Sequence, residues 1–323
     1  MHPYQAPHWL PGGHAQTIYP LLIKPAAPDY RRERWATPDR DFIDLDWVDG
    51  PAGSPLVVLF HGLEGSSRSH YAIALMHAVK ARGWTGVVVH FRGCSGEPNL
   101  LPRAYHSGDS AEADWILRRL RSSHPQRHLH AAGVSLGGNV LLKWLGEQGS
   151  AASSVIDTAA SVCAPLDLTA SGHHLGKGFN RLYSYRFIRT LRRNAEYKLQ
   201  MFPGCIDAAK LRAARSLYEF DNAVTAPLHG FRDTDDYWLR ASSKPLLRGI
   251  AVPTLVINAH NDPFMPPSVL PQVQEVSRAV TLEQPAQGGH VGFVAGHLPG
   301  RLEWLPQRLL RHFGAVERYR VAR

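Results

Sequence analysis

In residues 128–145, Gly133-Val134-Ser135-Leu136-Gly137 stands between a short apolar run and a helix-forming one. A G-x-S-x-G stretch at such a junction predicts a sharp strand-to-helix turn. Its serine takes up a strained backbone conformation, and neighbours without side chains let the flanking segments pass close by. Gly133, Gly137 and Gly138 meet that need. The turn lifts the serine hydroxyl clear of the sheet and aims the first amides of the following helix at the same space. A nucleophile and an anion-binding helix terminus therefore arise together. Such a turn requires a base, an acid and a cover for the substrate.

The remainder of the chain reads as alternating strand and helix. Residues 1–30 are rich in proline and are expected to form an extended arm over the main domain. Segments 31–37 and 42–48 predict an opening antiparallel hairpin. In the second of these, Phe42, Asp44 and Asp46 alternate with Ile43, Leu45 and Trp47, the pattern of a half-exposed strand. The pattern then changes to a continuous apolar run at 55–60, as in a strand covered on both faces, followed by a helix over 69–81 that Gly83 stops. Another strand at 86–91 leads to a helix over 109–122, capped by Asp109 or Ser110. Further strands are read at 161–164, 253–259 and 279–283, with a closing helix over 304–313. Strand and helix in alternation predict a doubly wound, mostly parallel sheet flanked by helices. The alternation is interrupted only at 165–248, which reads as a helical cap inserted over the strand ends. The core then comprises 31–164 and 249–323.

In open parallel sheets the ligand site lies beyond the carboxyl ends of the strands. Ser135, Asp262 and His290 each follow a predicted strand, in the order nucleophile, acid, base. Ser135 is a poor nucleophile until His290 takes its proton, and Asp262 would orient the imidazole and stabilise its charged form. The backbone N–H groups of Leu136 and Leu63 are the expected oxyanion donors. Asp262 also has a structural reading, because Asp-Pro pairs commonly open turns. His61 is expected to brace the oxyanion turn, and His14 and Gln16 either reach the site from the arm or pack it. His124, His128, His130, His173 and His174 lack the carboxylate or cysteine spacing that would complete a metal site. The chemistry needs no metal and no organic cofactor.

Composition bounds the setting. With 323 residues, 44% of them apolar, the chain has ample material for a buried core. Three cysteines, odd in number and far apart, fit reduced thiols and a cytoplasmic location. No signal peptide and no membrane-spanning run is expected. The formal charge of +9 is concentrated between Lys177 and Arg215, where ten Lys and Arg stand against Glu196 and Asp207. No nucleic-acid-binding motif accompanies it, so no nucleic-acid partner is expected. A solvated face, or weak contact of the basic cap with anionic membrane surfaces, accounts for the charge. Oligomeric state is not encoded legibly.

Beyond these residues, the chain closely resembles the YheT-like group of α/β-hydrolases, the AB hydrolase 4 family, along nearly its whole length. The resemblance rests on His14-Ala15-Gln16-Thr17, on His61-Gly62-Leu63-Glu64-Gly65 and on the run from Phe91 to Asn99. It also includes Asp221 with the segment from Thr225 to Phe231, and the acid loop from Asn258 to Phe264. The resemblance implies an α/β-hydrolase fold and a carboxylic ester hydrolase, with Asp262 as the acid and a small-molecule acyl ester as substrate. Two other readings use the same residues. One is an acyltransferase or ester synthase that delivers the acyl group to an alcohol, and the other is a non-catalytic ligand-binding hydrolase fold.

Overall fold

The structure, a computed structural model, describes residues 3–321, with side chains as far as residue 315. Its strands are β1 (Arg31–Ala36), β2 (Phe42–Val48), β3 (Leu56–Phe60), β4 (Thr85–Val89), β5 (Leu129–Val134), β6 (Thr158–Val162), β7 (Thr254–Ile257) and β8 (Val280–Glu283). They form one sheet in the order β1-β2-β4-β3-β5-β6-β7-β8. β2 pairs antiparallel with both β1 and β4, and all remaining pairs are parallel. Crossover helices account for the parallel part. These are α2 (His70–Ala81), α3 (Ser110–Ser123) and α4 (Leu136–Gln148), with the closing helix α11 (Trp304–Val321) covering the sheet at the end of the chain.

The apolar run at β3 is buried throughout because both faces of the sheet are covered. Val57 and Leu59 share a core with Ala72, Met76 and Val79 of α2 and Phe313 of α11. Leu56, Val58 and Phe60 share the opposite core with Ile116, Leu117 and Leu120 of α3 and Val140 and Leu141 of α4. Each fully buried Leu or Ile contributes about 1.5–3 kcal/mol. The turns at the strand ends are thus mounted on a rigid base.

Two expectations are corrected here. β2 is not half-exposed, because all seven of its residues are buried. Asp44 accepts two hydrogen bonds from Arg34, and Asp46 accepts from Arg32, His90 and Ser67. Burial alone would raise the Asp46 carboxyl, but these donors outweigh it and hold it well below the usual carboxylate range. Asp109 does precede α3, yet its side chain makes no capping bond. Both its oxygens accept from Arg103, at 2.7 and 2.8 Å.

A related network explains the stretch from Phe91 to Asn99. Buried Arg92 donates to Glu112 at 2.6 Å and to Asp39 and Asp41 at 2.9 Å, while Asn99 donates to Asp41 at 2.6 Å. The loop after β4 is thereby tied to the opening hairpin and to α3.

The N-terminal segment departs from an extended arm. It contains α1 (Gly13–Ile18) followed by a 3-10 turn at Tyr19–Leu21. The helix is short and depends on contacts with the core, described below. Between β6 and β7 the described residues are helical or looped, with α5 (Leu168–Leu175), α6 (Arg181–Met201), α7 (Ala208–Ala213), α8 (Leu217–Phe220), a π-helical turn at Asp221–Thr225, α9 (Ala226–Leu228) and α10 (Thr234–Ala241). Side-chain caps start several of these. Asp167, Asp207, Ser216 and Asp233 each accept from an amide in the first turn of the following helix. The closing helix runs eight residues past the expected end at residue 313.

Candidate active site

Ser135 sits between β5 and α4 at φ 53° and ψ −120°, a conformation that costs on the order of 1–3 kcal/mol for a non-glycine residue. The surroundings over-determine it. The Ser135 amide donates to the Val162 carbonyl at 2.8 Å, and the Gly137 amide donates to the His61 carbonyl at 3.1 Å. A Cβ at Gly137 would collide with the carbonyl oxygens of Phe60 and His61, so only glycine lets α4 pass so close to the end of β3.

Asp262 lies in the loop after β7 and His290 in the loop after β8. The His290 Nδ1 is 2.9 Å from Asp262 Oδ2, and its Nε2 is 3.0 Å from Ser135 Oγ. With the proton on Nδ1 donated to the carboxylate, Nε2 is the acceptor for the serine hydroxyl. The Asp262 side chain is fully buried and that of His290 is 10% exposed. The other carboxylate oxygen accepts from the Phe264 amide at 2.8 Å. The Phe264 ring in turn stacks on the imidazole, with centroids 3.9 Å apart. One hydrogen-bonded chain therefore joins the three residues singled out in the sequence.

On the opposite side of Ser135, the turn after β3 comes close enough that a Cβ on Gly62 would lie 3.1 Å from that of Ser135. Leu63 is next in this turn, and Leu136 is the first residue of α4, where amides have no intrahelical acceptor. Both residues line the same cavity as Ser135. The turn is braced from below. His61 donates from Nδ1 to the Gly62 carbonyl at 2.7 Å and accepts the Phe91 amide at Nε2 at 3.1 Å. Burial lowers its pKa to about 3, so it stays neutral and keeps both bonds. The Tyr71 hydroxyl accepts the Gly62 amide at 2.8 Å.

The N-terminal helix supplies what the sequence did not resolve. Gln16 is fully buried and its Oε1 accepts from Asn261 Nδ2 and from the Gly288 amide, both at 2.9 Å. Its Nε2 donates to the Leu10 carbonyl and to Gln287 Oε1, again at 2.9 Å. Thr17 Oγ1 accepts the backbone amide of His290 at 2.8 Å. A Cβ at Gly13 would overlap the Asn261 carbonyl oxygen, which explains the glycine before His14. Gln16 and Thr17 thus hold the loops that carry Asp262 and His290 against each other, Thr17 from the cavity wall and Gln16 from behind it. His14 instead faces α6, with Nδ1 3.1 Å from the Tyr183 hydroxyl. The His14-Ala15-Gln16-Thr17 stretch was the only signal of these roles.

Cys163, Asp262 and His290 are the group of three potential metal ligands found among the described residues, with ligand atoms within 4.8 Å of one another. Their chemistry does not suit a cation. Asp262 and His290 already bond each other, and burial, reinforced by Asp262, pushes the Cys163 thiol well above its ordinary range, whereas a metal needs the thiolate. Cys163 Sγ accepts the Val291 amide at 3.3 Å and so supports the histidine loop. The histidines at 124, 130 and 173 pack against Trp47, Phe313 and Tyr218 respectively.

Above Ser135 opens a cavity of about 1050 Å³ between the strand ends and the helices that follow β6. Its walls include Leu168, Leu175, Phe187, Leu191, Phe220 and Val224. Asp221 and Lys198 are two of the ionisable groups in this wall. Asp221 accepts from Thr225 Oγ1 at 2.6 Å and Trp238 Nε1 at 2.8 Å, and burial raises its pKa to about 6. Lys198 donates to the carbonyls of Asn99 and Leu101, both at 2.5 Å, and burial lowers its pKa to about 8.

A mostly parallel sheet with an antiparallel hairpin at one edge, a strained serine after β5 and an acid and a histidine after the later strands define one class. The chain belongs to the α/β-hydrolase fold family, whose sequence profile matches residues 55–296. Within that family it is 42% identical over 304 residues to YheT of Escherichia coli, covering 92% of this chain and 88% of that protein. It is 29% identical over 316 residues to the phospholipase ABHD3 of Homo sapiens, covering 94% of this chain and 76% of the human protein. An esterase from Exiguobacterium antarcticum has the same fold, with a TM-score of 0.57 at 16% identity over 87% of this chain and 98% of the esterase.

Proposed function

We propose that this protein is a serine hydrolase that cleaves carboxylic esters of lipid-type acyl groups through an acyl-enzyme on Ser135. The observation that carries the reading is the hydrogen-bonded chain from Ser135 Oγ through His290 to Asp262 at the floor of a largely apolar cavity. The relatedness to a phospholipase supports an ester bond as the target.

In the first step Ser135 Oγ bonds to the ester carbonyl carbon while its proton passes to His290 Nε2, and Asp262 balances the resulting imidazolium. The carbonyl oxygen becomes an oxyanion, and the amides of Leu136 and Leu63 donate to it. Collapse of the intermediate breaks the ester C–O bond, and the same proton goes from His290 to the leaving alcohol oxygen. A water molecule then repeats the sequence on the acyl-enzyme, releasing the carboxylic acid and restoring the serine hydroxyl. The helices between β6 and β7, residues 165–248, act as a cap over this space.

The test is fluorophosphonate labelling together with turnover of p-nitrophenyl esters of increasing chain length, for the wild type and Ser135→Ala. Labelling is expected to vanish in the variant, and turnover to fall by a factor on the order of 10³ or more. Folded wild-type protein that neither labels nor turns over any ester of the series refutes the reading. Product analysis with added alcohol separates hydrolysis from acyl transfer.

A further inference from the structure

The mouth of the cavity is built from two segments far apart in sequence. On one side, α1 and the turn after it leave Ile18, Leu21 and Leu22 exposed by 37%, 50% and 76%. On the other, the start of α6 and the turn before it leave Phe179, Leu182 and Tyr185 exposed by 56%, 49% and 65%. The two sides meet at His14, whose ring centroid lies 4.6 Å from that of Phe179. Ile18, Leu21 and Leu182 also line the cavity that contains Ser135, so the apolar rim continues into the reaction space. Single exposed apolar side chains are ordinary, but six on these two facing segments, three of them continuing into the cavity wall, mark a contact surface.

The charge around this rim indicates what covers it. From Lys177 to Met201 there are seven Lys and Arg against one acid, Glu196. Arg181, Arg186 and Arg189 are exposed and make no ion pair among the described residues. Leu182, Tyr185, Arg186 and Arg189 follow one another at helical spacings that share a face. Lys24 adds positive charge on the arm side of the cavity. A second copy of the chain would present the same positive rim and be repelled. A nucleic acid would satisfy the charge and leave the apolar side chains in water. An anionic lipid surface matches both features, because apolar side chains enter the acyl boundary while the basic ones meet lipid phosphates.

We propose that this rim docks the protein on anionic lipid bilayers and seats the cavity mouth on the membrane, so that lipid esters enter from the bilayer. Docking follows from the surface alone, whereas delivery of substrate rests on the ester-hydrolase reading above.

The experiment sediments full-length Ser135→Ala protein, which retains the surface, with vesicles containing phosphatidylglycerol and with pure phosphatidylcholine vesicles, at low and high salt. Recovery is expected with the anionic vesicles at low salt and to fall as salt rises. Arg181→Glu with Arg189→Glu is expected to lower the partition coefficient by about 25-fold or more, at about fivefold for each charge lost. Leu22→Ser with Tyr185→Ser is expected to lower it by on the order of tenfold. None of these four residues lines the cavity, so turnover of a soluble short-chain ester by the same variants carrying Ser135 stays at the wild-type rate. Equal recovery with neutral and anionic vesicles, or none with either, overturns the proposal. A loss confined to the charge variants also overturns it, leaving only a general anion-binding face. Vesicle binding without ester turnover in the wild type counts against the enzyme reading and leaves docking intact.

Discussion

Gln16→Leu tests whether the N-terminal helix holds the reacting groups in place. The substitution keeps the side-chain volume and removes four hydrogen bonds, two of them to the buried Gly288 amide and the Leu10 carbonyl. An orphaned buried backbone group costs about 1–3 kcal/mol, so these two account for about 2–6 kcal/mol. Of the side-chain partners, Asn261 is half-buried and Gln287 exposed, so both can turn to solvent. Leucine returns on the order of 1 kcal/mol of apolar burial. A net destabilisation of about 1–5 kcal/mol follows, to be read from urea unfolding of the full chain. The kinetic effect is separate. Gly288 is two residues from His290 and Asn261 is adjacent to Asp262, so losing their common anchor loosens the alignment of base and acid. A displacement near 1 Å at a reacting group costs on the order of 100-fold, and kcat is expected to fall by about ten- to 100-fold. KM should change little because Gln16 does not line the cavity. Fluorophosphonate titration normalises the rate to competent sites, so partial unfolding is not mistaken for misalignment. A variant with wild-type unfolding midpoint and wild-type kcat would refute the reasoning.

Two other sites give independent tests. Arg92→Leu leaves Asp41 and Glu112 buried without their cation and is expected to cost about 3–5 kcal/mol, whereas Arg31→Leu, which breaks the exposed pair with Asp49, costs under about 1 kcal/mol. Comparable losses in the two variants, measured by urea unfolding, would refute the assigned difference in burial. Asp221→Asn removes a carboxyl whose pKa rises from 3.8 to about 6 on folding. Between these values the folded state keeps a proton that the unfolded state has lost, so wild-type stability falls as pH rises through the window. The variant lacks this term. It should gain on the wild type by on the order of 2–3 kcal/mol between pH 4 and pH 7, and a stability difference that is flat with pH rejects the assignment.

What the sequence alone determined is what short-range physics controls. The glycines at 133, 137 and 138 predict the turn at Ser135 because only residues without side chains permit that approach. A continuous apolar run predicts a strand covered on both faces, as at β3. The positions of Asp262 and His290 followed from their place after successive strands, since strand order brings those loops to one edge of the sheet.

Only the tertiary structure decided the rest, because the deciding partners lie far away in the chain. Asp44 and Asp46 look solvent-facing by period, and Arg34 and Arg32 on the neighbouring strand make their burial tolerable. Asp109 looks like a cap, and Arg103 claims it instead. The proline-rich arm reads as extended. Residues 13–18 nevertheless fold into a helix whose Gln16 and Thr17 meet loops about 270 residues away, contacts that no local pattern encodes. The Phe264 stack on His290, and the cavity lined by the N-terminal helix, the strand-end turns and the helices between β6 and β7, arise in the same way. Local sequence specifies which conformations are cheap, whereas long-range burial specifies which polar groups find partners and which surfaces are left facing outward.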